Sequence, residues 1–311
     1  MTDKSAVHYT LFPENWATYA LIDSGNGRKL EAFGPYRFIR PEAQALWKPF
    51  LKESEWALAD GIFAPERIDN HEETQEGRGR WQLSPALPES WEMSYDTMRF
   101  KAMPTPFRHL GFFPEQSPHW LWTAEKIAAF RLRYDRPPRL LNLFAYSGLA
   151  SLHAAQAGAE IIHLDASKKA VAQAFENRDF SDMGSAPIRF ITDDASRFVE
   201  REIRRGHHYD GIMLDPPKYG RGPKGEIWRL EDHLPSLLTG CRTLLSDTPL
   251  LFIATLYAIR ASTSAVQSAI YDVLNGIGGS LQAGELAIRE NRPHGRCIGQ
   301  ALYVRWSGLE T

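Results

Sequence analysis

The sequence predicts an α/β protein: a seven-stranded, doubly wound sheet preceded by a small β-rich domain. Three observations predict it. From about residue 120, apolar runs of strand length alternate with stretches of helical periodicity, the pattern of a parallel sheet covered on both faces. The last two strand-like runs, 281–289 and 301–306, are separated by a polar turn and no helix, so they should pair as an antiparallel hairpin. Trp16, Trp47, Trp56, Trp81, Trp91, Trp120 and Trp122 all fall early, and only Trp228 and Trp306 come later. We therefore expect an aromatic-rich, mainly β domain over residues 1–100 and the large α/β domain over 101–311.

In the first domain, Tyr19 to Phe33 reads as two strands joined by a Ser24-Gly25-Asn26-Gly27 turn. Residues 70–80 are polar and glycine-containing and read as a mobile loop. The aromatics are expected in the core, with base stacking as an alternative for one or two of them. In the second domain a helix is predicted over 123–133, a strand over 139–145 and a helix from Ser147 to Ala157, closed by Gly158. Glu160 to Asp165 is the next strand. Ser167 can cap the following helix, which buries Ala170, Val171, Ala174 and Phe175. Ile188 to Thr192 is strand three, followed by a helix through Phe198 and Ile203. Tyr209 to Leu214 is strand four, 231–245 a helix, 248–255 strand five, and 262–274 a helix.

Composition bounds the function. The chain has 311 residues, 43% hydrophobic and 24% charged, as expected of a globular protein with one large and one smaller domain. A net charge of -2 leaves no global basic field, so contact with nucleic acid must use a local patch. The two cysteines, Cys241 and Cys297, lack metal-ligand spacing, so neither a metal site nor a disulfide framework is expected. The amino terminus has no apolar signal core and no run reaches membrane-spanning length, so a cytoplasmic location without a membrane partner is expected.

In an open α/β sheet, ligands bind beyond the carboxyl ends of the strands. The first strand ends in Asn142-Leu143-Phe144-Ala145-Tyr146-Ser147-Gly148. There Ser147 and Gly148 open a helix whose N–H groups and dipole favour a carboxylate. This is not a G-x-G-x-x-G pattern, which counts against a dinucleotide. Asp165, 23 residues after Asn142, ends strand two where a carboxylate accepts from a ribose diol. Asp193-Asp194-Ala195 ends strand three, placed for an adenine amino group with the Ala195 backbone beside the ring. Each acidic residue could instead be a helix cap. Asp215-Pro216-Pro217-Lys218 ends strand four. Neither proline can extend the ladder, so the carboxylate and carbonyls should be left open to a planar, hydrogen-bond-donating ligand such as a nucleobase. Three strand-terminal aspartates on successive βα units form a frame suited to S-adenosylmethionine. Seven strands with an antiparallel end is the class I methyltransferase arrangement, whereas dinucleotide dehydrogenases use six parallel strands.

Leu-Asn-Leu-Phe-Ala-Tyr-Ser-Gly (141–148), Leu-Asp-Ala-Ser (164–167), Asp-Asp-Ala (193–195) and Asp-Pro-Pro-Lys-Tyr (215–219) resemble the ribosomal-RNA methyltransferases that include the bacterial 23S rRNA cytosine-C5 enzymes. The resemblance covers about residues 100–306. It implies a class I methyltransferase using S-adenosylmethionine on an RNA substrate, foremost rRNA. Ser147 and Gly148 would lie by the methionine part. Asp165, flanked by Ala166 and Ser167, would hold the ribose, and Asp194 with Ala195 the adenine. Asp215 and Pro216, with Pro217 and Lys218, would border the methyl and the target base. The segment His109 to Gln116 is similar to one that covers the cofactor in that family. This chain has Glu115-Gln116-Ser117 where the family has Asp-Gln-Arg, and the family's amino-terminal RNA-binding module is not evident.

Cytosine C5 methylation needs a thiolate that adds to C6. The resembled enzymes carry that cysteine just after strand five, where this chain has the Thr255 region. Cys241 falls in a helix, expected buried and inert. A nitrogen or oxygen acceptor needs only an aligned lone pair, with Asp215 and the Pro216 carbonyl accepting from an exocyclic amine. The basic, glycine-rich stretch 218–225 is a candidate phosphate contact or lid against a plain surface loop. Two alternatives stay open: a degenerate fold serving as an RNA-binding or assembly module, and a small-molecule or protein methyltransferase. Monomer and homodimer both remain open.

Overall fold

The computed structural model describes residues 7–65, 79–257 and 259–309; of the loop expected over 70–80, residues 70–78 lie outside the described residues, and Gly79 and Arg80 open a strand instead. In chain order the first part holds β1 (His8–Leu11), β2 (Tyr19–Gly25), β3 (Arg28–Phe33), β4 (Tyr36–Pro41), α1 (Glu53–Trp56), β5 (Gly61–Pro65), β6 (Gly79–Leu83), β7 (Trp91–Tyr95) and β8 (Met98–Ala102). A 3-10 turn, Pro114–Gln116, leads into α2 (Ser117–Tyr134), β9 (Arg139–Leu143), α3 (Leu149–Gln156), β10 (Glu160–Asp165), α4 (Lys168–Phe180), β11 (Ile188–Thr192), α5 (Ala195–Arg204) and β12 (Gly211–Leu214). Then come β13 (Tyr219–Arg221), β14 (Ile227–Arg229), α6 (Leu230–Leu244), β15 (Leu251–Leu256), α7 (Thr263–Leu274), β16 (Ser280–Arg289) and β17 (Cys297–Ser307).

Of the described residues, 7–11, 116–286 and 300–309 form one compact unit; 12–65, 79–115 and 287–299 form a second. The division falls at 115/116 rather than near residue 100, and two segments cross it. β1 joins the large sheet, pairing in parallel with β16 from His8↔Ala283 to Leu11↔Leu286. The tip of the β16–β17 hairpin belongs with the smaller unit, where Arg296 reaches Asp23 at 3.1 Å and Ser24 donates to Glu290 at 2.6 Å.

The large sheet runs β1-β16-β17-β15-β12-β9-β10-β11. The seven expected strands are all present and β1 is an eighth. Its four residues His-Tyr-Thr-Leu are too few for a periodicity argument and only their partner strand identifies them. β9 pairs in parallel with both β10 and β12, and β12 with β15, while β15 and β17 run antiparallel. Side chains alternate across this sheet as a pleat requires. Leu141, Leu143, Ile212, Leu214, Phe252 and Ala254 face one core with Phe198 of α5, Leu238 of α6 and Ile270 of α7. Leu140, Ile161, Met213, Leu251 and Ile253 face the other with Ile127 and Phe130 of α2 and Ala154 of α3. Both faces are buried, which is why these strands read as continuous apolar runs. Among the described residues, no helix is long and apolar enough to cross a membrane.

The smaller unit is a five-stranded sheet, β2-β3-β4-β5-β6, with a separate β7–β8 pair. The β2–β3 turn has Asn26 and Gly27 at φ 52° and 73°, the two left-handed positions that a tight hairpin demands. Its aromatics pack on one another: Trp16 stacks on Phe112 at 5.6 Å, and Phe33 meets Tyr19 at 5.2 Å. Beside them lies a buried ionic network. Glu31, fully buried, receives Arg40 at 2.7 Å on each oxygen and the Tyr19 hydroxyl at 2.9 Å. Burial pushes the Glu31 carboxyl up, but Arg40 and Lys29 outweigh it and hold it below its usual value. The stability it contributes is thus present above the ordinary glutamate pKa and lost as pH falls through the lower folded value. Arg40→Leu strands this carboxylate and should cost about 3 kcal/mol near neutral pH. In urea unfolding the deficit should narrow at about pH 4, where Glu31 can be protonated; a deficit independent of pH would refute the assignment.

Candidate active site

The chain turns back at β9: β10 and β11 extend the sheet on one side, and β12 is laid on the other. The carboxyl ends of β9 and β12 therefore flank the switch point, where α/β sheets bind ligands. Leu143 aligns with Leu164 and with Leu214, and Asp165 with Thr192. Asp165 and Asp215 each lie one position beyond the row aligned with Leu143, and Asp193 one beyond Thr192. All three aspartates thus stand on one rim.

The loop from Phe144 to Gly148 is strained. Phe144 and Tyr146 have φ 56° and 47°, a region that side chains of their bulk avoid, and Gly148 has φ 89°. Surrounding bonds hold the loop there. The Ala145 N–H donates to the Leu164 carbonyl at 3.0 Å, the Tyr146 N–H to Asp165 Oδ2 at 2.9 Å, and the Asn177 amide to the Ser147 carbonyl at 2.9 Å. Gly148 caps α3, so the helix opens at Leu149 rather than at Ser147. A β-carbon on Gly148 would lie 2.8 Å from that of Ala174, so close approach and backbone angle both require glycine.

Asn142 is placed differently from the expectation that it contacts the cofactor. It is buried, and its amide donates to Ser151 Oγ at 2.9 Å, which in turn lies 3.0 Å from His163 Nδ1. This relay runs beneath the loop. Burial lowers the His163 imidazole to about 3, so it stays neutral. Asp165 Oδ1 receives the Ser167 N–H at 2.8 Å, and Ser167 Oγ caps α4 through Ala170. Burial raises the Asp165 carboxyl, against the pull of the Ser167 and Tyr146 N–H groups. Each carboxylate oxygen has lone-pair capacity beyond these bonds. Asp194 Oδ1 caps α5 through the Arg197 N–H at 3.0 Å, with Ala195 buried as the first helical residue. Asp193 is tied to Arg201 at 2.7 Å. Of these aspartates only Asp194 is a helix cap; α4 is capped by Ser167.

At the end of β12, the turn is less open than the two prolines imply. The Gln116 amide donates to Asp215 Oδ2 at 2.8 Å and lies 3.4 Å from the Tyr257 hydroxyl. The Trp228 indole N–H donates to the Pro217 carbonyl at 2.7 Å, and the Lys218 carbonyl accepts from Leu230 N–H at 2.9 Å. Prolines free the strand's own partners, but neighbouring elements take up what is freed. Tyr257 and Trp228 are site residues that sequence reasoning did not assign; Gln116 was placed in a segment resembling one that covers the cofactor, but without its bond to Asp215. Tyr257 could have been suggested by its position directly after strand five. Cys241 is fully buried in α6, its thiol pushed up to about 12 by burial. Thr255 is buried within β15 opposite Tyr303. A separate cleft of about 360 Å³ lies at the opposite, amino edge of the sheet, lined by Arg139, Glu160 and Arg189 among others, and contains no motif residue.

No protein-family model matches the chain. A crystal structure of the SAM-dependent methyltransferase from Agrobacterium tumefaciens shares 44% identity, covers 97% of this chain and 94% of its own, and superposes with a TM-score of 0.89. The chain belongs to the S-adenosylmethionine-dependent methyltransferases. Its cofactor is accordingly S-adenosylmethionine. A protein provisionally named a methyltransferase and crystallised with S-adenosylhomocysteine shares the fold at 15% identity, covering 94% of this chain and 76% of its own at a TM-score of 0.69. Ribosomal RNA large subunit methyltransferase I of Tolumonas auensis is 35% identical over 88 residues, 28% of this chain; the match spans only 22% of that enzyme.

For this methyltransferase, Gly148→Ala should weaken S-adenosylhomocysteine binding by about tenfold or more, because the loop can relieve the clash only by moving. Calorimetry on the folded variant checks this, and unchanged affinity would remove the loop from the binding site. Gln116→Ala should leave cofactor affinity within about threefold while slowing methyl transfer by roughly tenfold, since it releases Asp215. Equal losses in both would argue for a structural role.

Proposed function

We propose that this methyltransferase modifies a nitrogen of a nucleobase in ribosomal or other structured RNA, with the target placed against Asp215 at the switch point. The observation that carries this reading is the Asp215 carboxylate, fixed by Gln116 beside the loop 144–148 at the end of β12. The residues suit the cofactor. The open amino end of α3 behind Ser147 and Gly148 would receive its carboxylate, Asp165 its ribose, and Asp194 with Ala195 its adenine. Bound there, S-adenosylmethionine supplies an electrophilic methyl carbon on a sulfonium.

The chain's own residues then align and orient. Asp215, with the Pro216 carbonyl, accepts from an exocyclic amine and turns its lone pair toward the methyl. As the nitrogen gained the methyl carbon, the C–S bond of the sulfonium would break to leave a neutral thioether, and the proton the nitrogen then sheds could pass to the Asp215 carboxylate. Covalent activation of a pyrimidine carbon is not supported, since Cys241 is buried and β15, ending at Leu256, is followed by Tyr257 rather than a cysteine. The partial match to an rRNA methyltransferase supports RNA as the substrate class. That substrate would also place the enzyme in the cytoplasm.

The test is mass spectrometry of RNA nucleosides from a strain lacking the protein. One methylated nucleoside should be absent, and the wild-type gene should restore it. Asp215→Ala should restore it at a rate lowered by about 100-fold or more. No missing nucleoside would turn the reading toward a protein or small-molecule acceptor. Full restoration by Asp215→Ala would favour a fold kept for RNA binding alone.

A further inference from the structure

The stretch after Asp215-Pro216-Pro217 is a hairpin rather than a loose loop. β13 and β14 pair antiparallel as Tyr219↔Arg229, Gly220↔Trp228 and Arg221↔Ile227. Gly225, at φ 90°, helps close the turn, with its N–H on the Gly222 carbonyl at 3.1 Å. Alternation sorts the side chains onto two faces. Trp228 lies on the inner face, 4% exposed, with its ring 4.9 Å from Phe144 and its N–H on the Pro217 carbonyl. Tyr219, Arg221, Ile227 and Arg229 share the outer face, where Arg221 and Arg229 are exposed and Ile227 is 53% exposed.

Charge makes the outer face distinctive. Lys218, Arg221, Lys224 and Arg229 stand against the single carboxylate Glu226 over residues 218–229, a local balance of +3 (four minus one) in a chain of net -2. Glu226 is already engaged, by Arg197 at 2.5 Å and by the Lys224 N–H at 2.8 Å. Across the hairpin's end, Arg229 also lies 3.9 Å from Asp232, a contact between two exposed groups. Two guanidiniums flanking a tyrosine ring and an exposed isoleucine match the alternation of phosphate and base along a single strand.

We propose that the β13–β14 hairpin grips the RNA strand beside the target nucleotide, Arg221 and Arg229 contacting phosphates, and that Trp228 ties this grip to the Asp215 turn and the cofactor loop. The inference rests on RNA being the substrate. Trp228 is a positioning residue: it fixes the Pro217 carbonyl and buttresses Phe144, and it touches neither reacting atom.

The experiment measures binding of 23S rRNA, purified from the deletion strain, as a function of salt. Arg221→Ala with Arg229→Ala, both at exposed positions, should lower the log–log salt slope by about 1.4 to 1.8 and the affinity by tenfold or more. S-adenosylhomocysteine affinity should hold. Failure of the wild-type protein to bind this rRNA, or total RNA from the same strain, would remove the substrate reading itself. Wild-type binding matched by the double variant in slope and affinity would overturn the hairpin's role alone. Trp228→Phe, which keeps a ring and loses the N–H, should lower kcat about fivefold to tenfold with KM for RNA and the salt slope intact. An unchanged kcat would refute the coupling.

Discussion

Parallel, in-register pairing of β9 with β10 and with β12 constrains everything at the site. Once Leu143, Leu164 and Leu214 share a row, the residues that follow them emerge along one edge, and the reversal of strand order sets Phe144 and Asp215 at the switch point. The pairing is enforced from both faces. A one-residue slip of β9 would exchange Leu141 and Leu143 with Leu140 and Asn142, and would push the Asn142 amide away from Ser151 into an apolar core. The polar relay of Asn142, Ser151 and His163 therefore specifies register as well as supporting the loop above it.

The strained loop is held by this arrangement. Two aromatic residues with positive φ persist only because their backbone is bonded to β10, to Asp165 and to Asn177 of α4. Asp165 is central here. The carboxylate proposed for the ribose also receives the Tyr146 and Ser167 N–H groups, so the proposed ligand contact and the loop conformation would share one residue. A cofactor site built this way is formed before the ligand arrives, which reduces the ordering cost of binding.

Much of this was legible in the sequence because the relevant signals are local. Apolar runs bounded by aspartates gave the strands and their ends, and the lack of a helix between 289 and 297 gave the terminal hairpin. Asn26-Gly27 gave its turn. What escaped reading depends on contacts distant in the chain. Gln116 and Asp215 are 99 positions apart, and Tyr257 is 141 from Gln116. β1 is recognisable only from β16. The buried Glu31–Arg40 pair depends on the pairing of β3 with β4, which places both inside. The stretch 218–225 misled in another way: its glycines suggest mobility, yet Trp228, three residues beyond it, anchors the fold-back.

The residue after β15 bears on which atom receives the methyl. Carbon alkylation of a pyrimidine demands a nucleophile that can add and later leave, and a phenol hydrogen-bonded into a network of neutral amide and carboxylate is unsuited to that cycle. Tyr257 instead sits within reach of the same Gln116 nitrogen that donates to Asp215. Because a carboxylate can only accept, the amide must present its NH2 group to Asp215, and the same nitrogen faces the Tyr257 oxygen. The phenol oxygen is then the acceptor in that contact. The proposed nitrogen acceptor rests on the lack of a thiol at this position and on a carboxylate that can only accept, held by Gln116 where an exocyclic amine could donate to it.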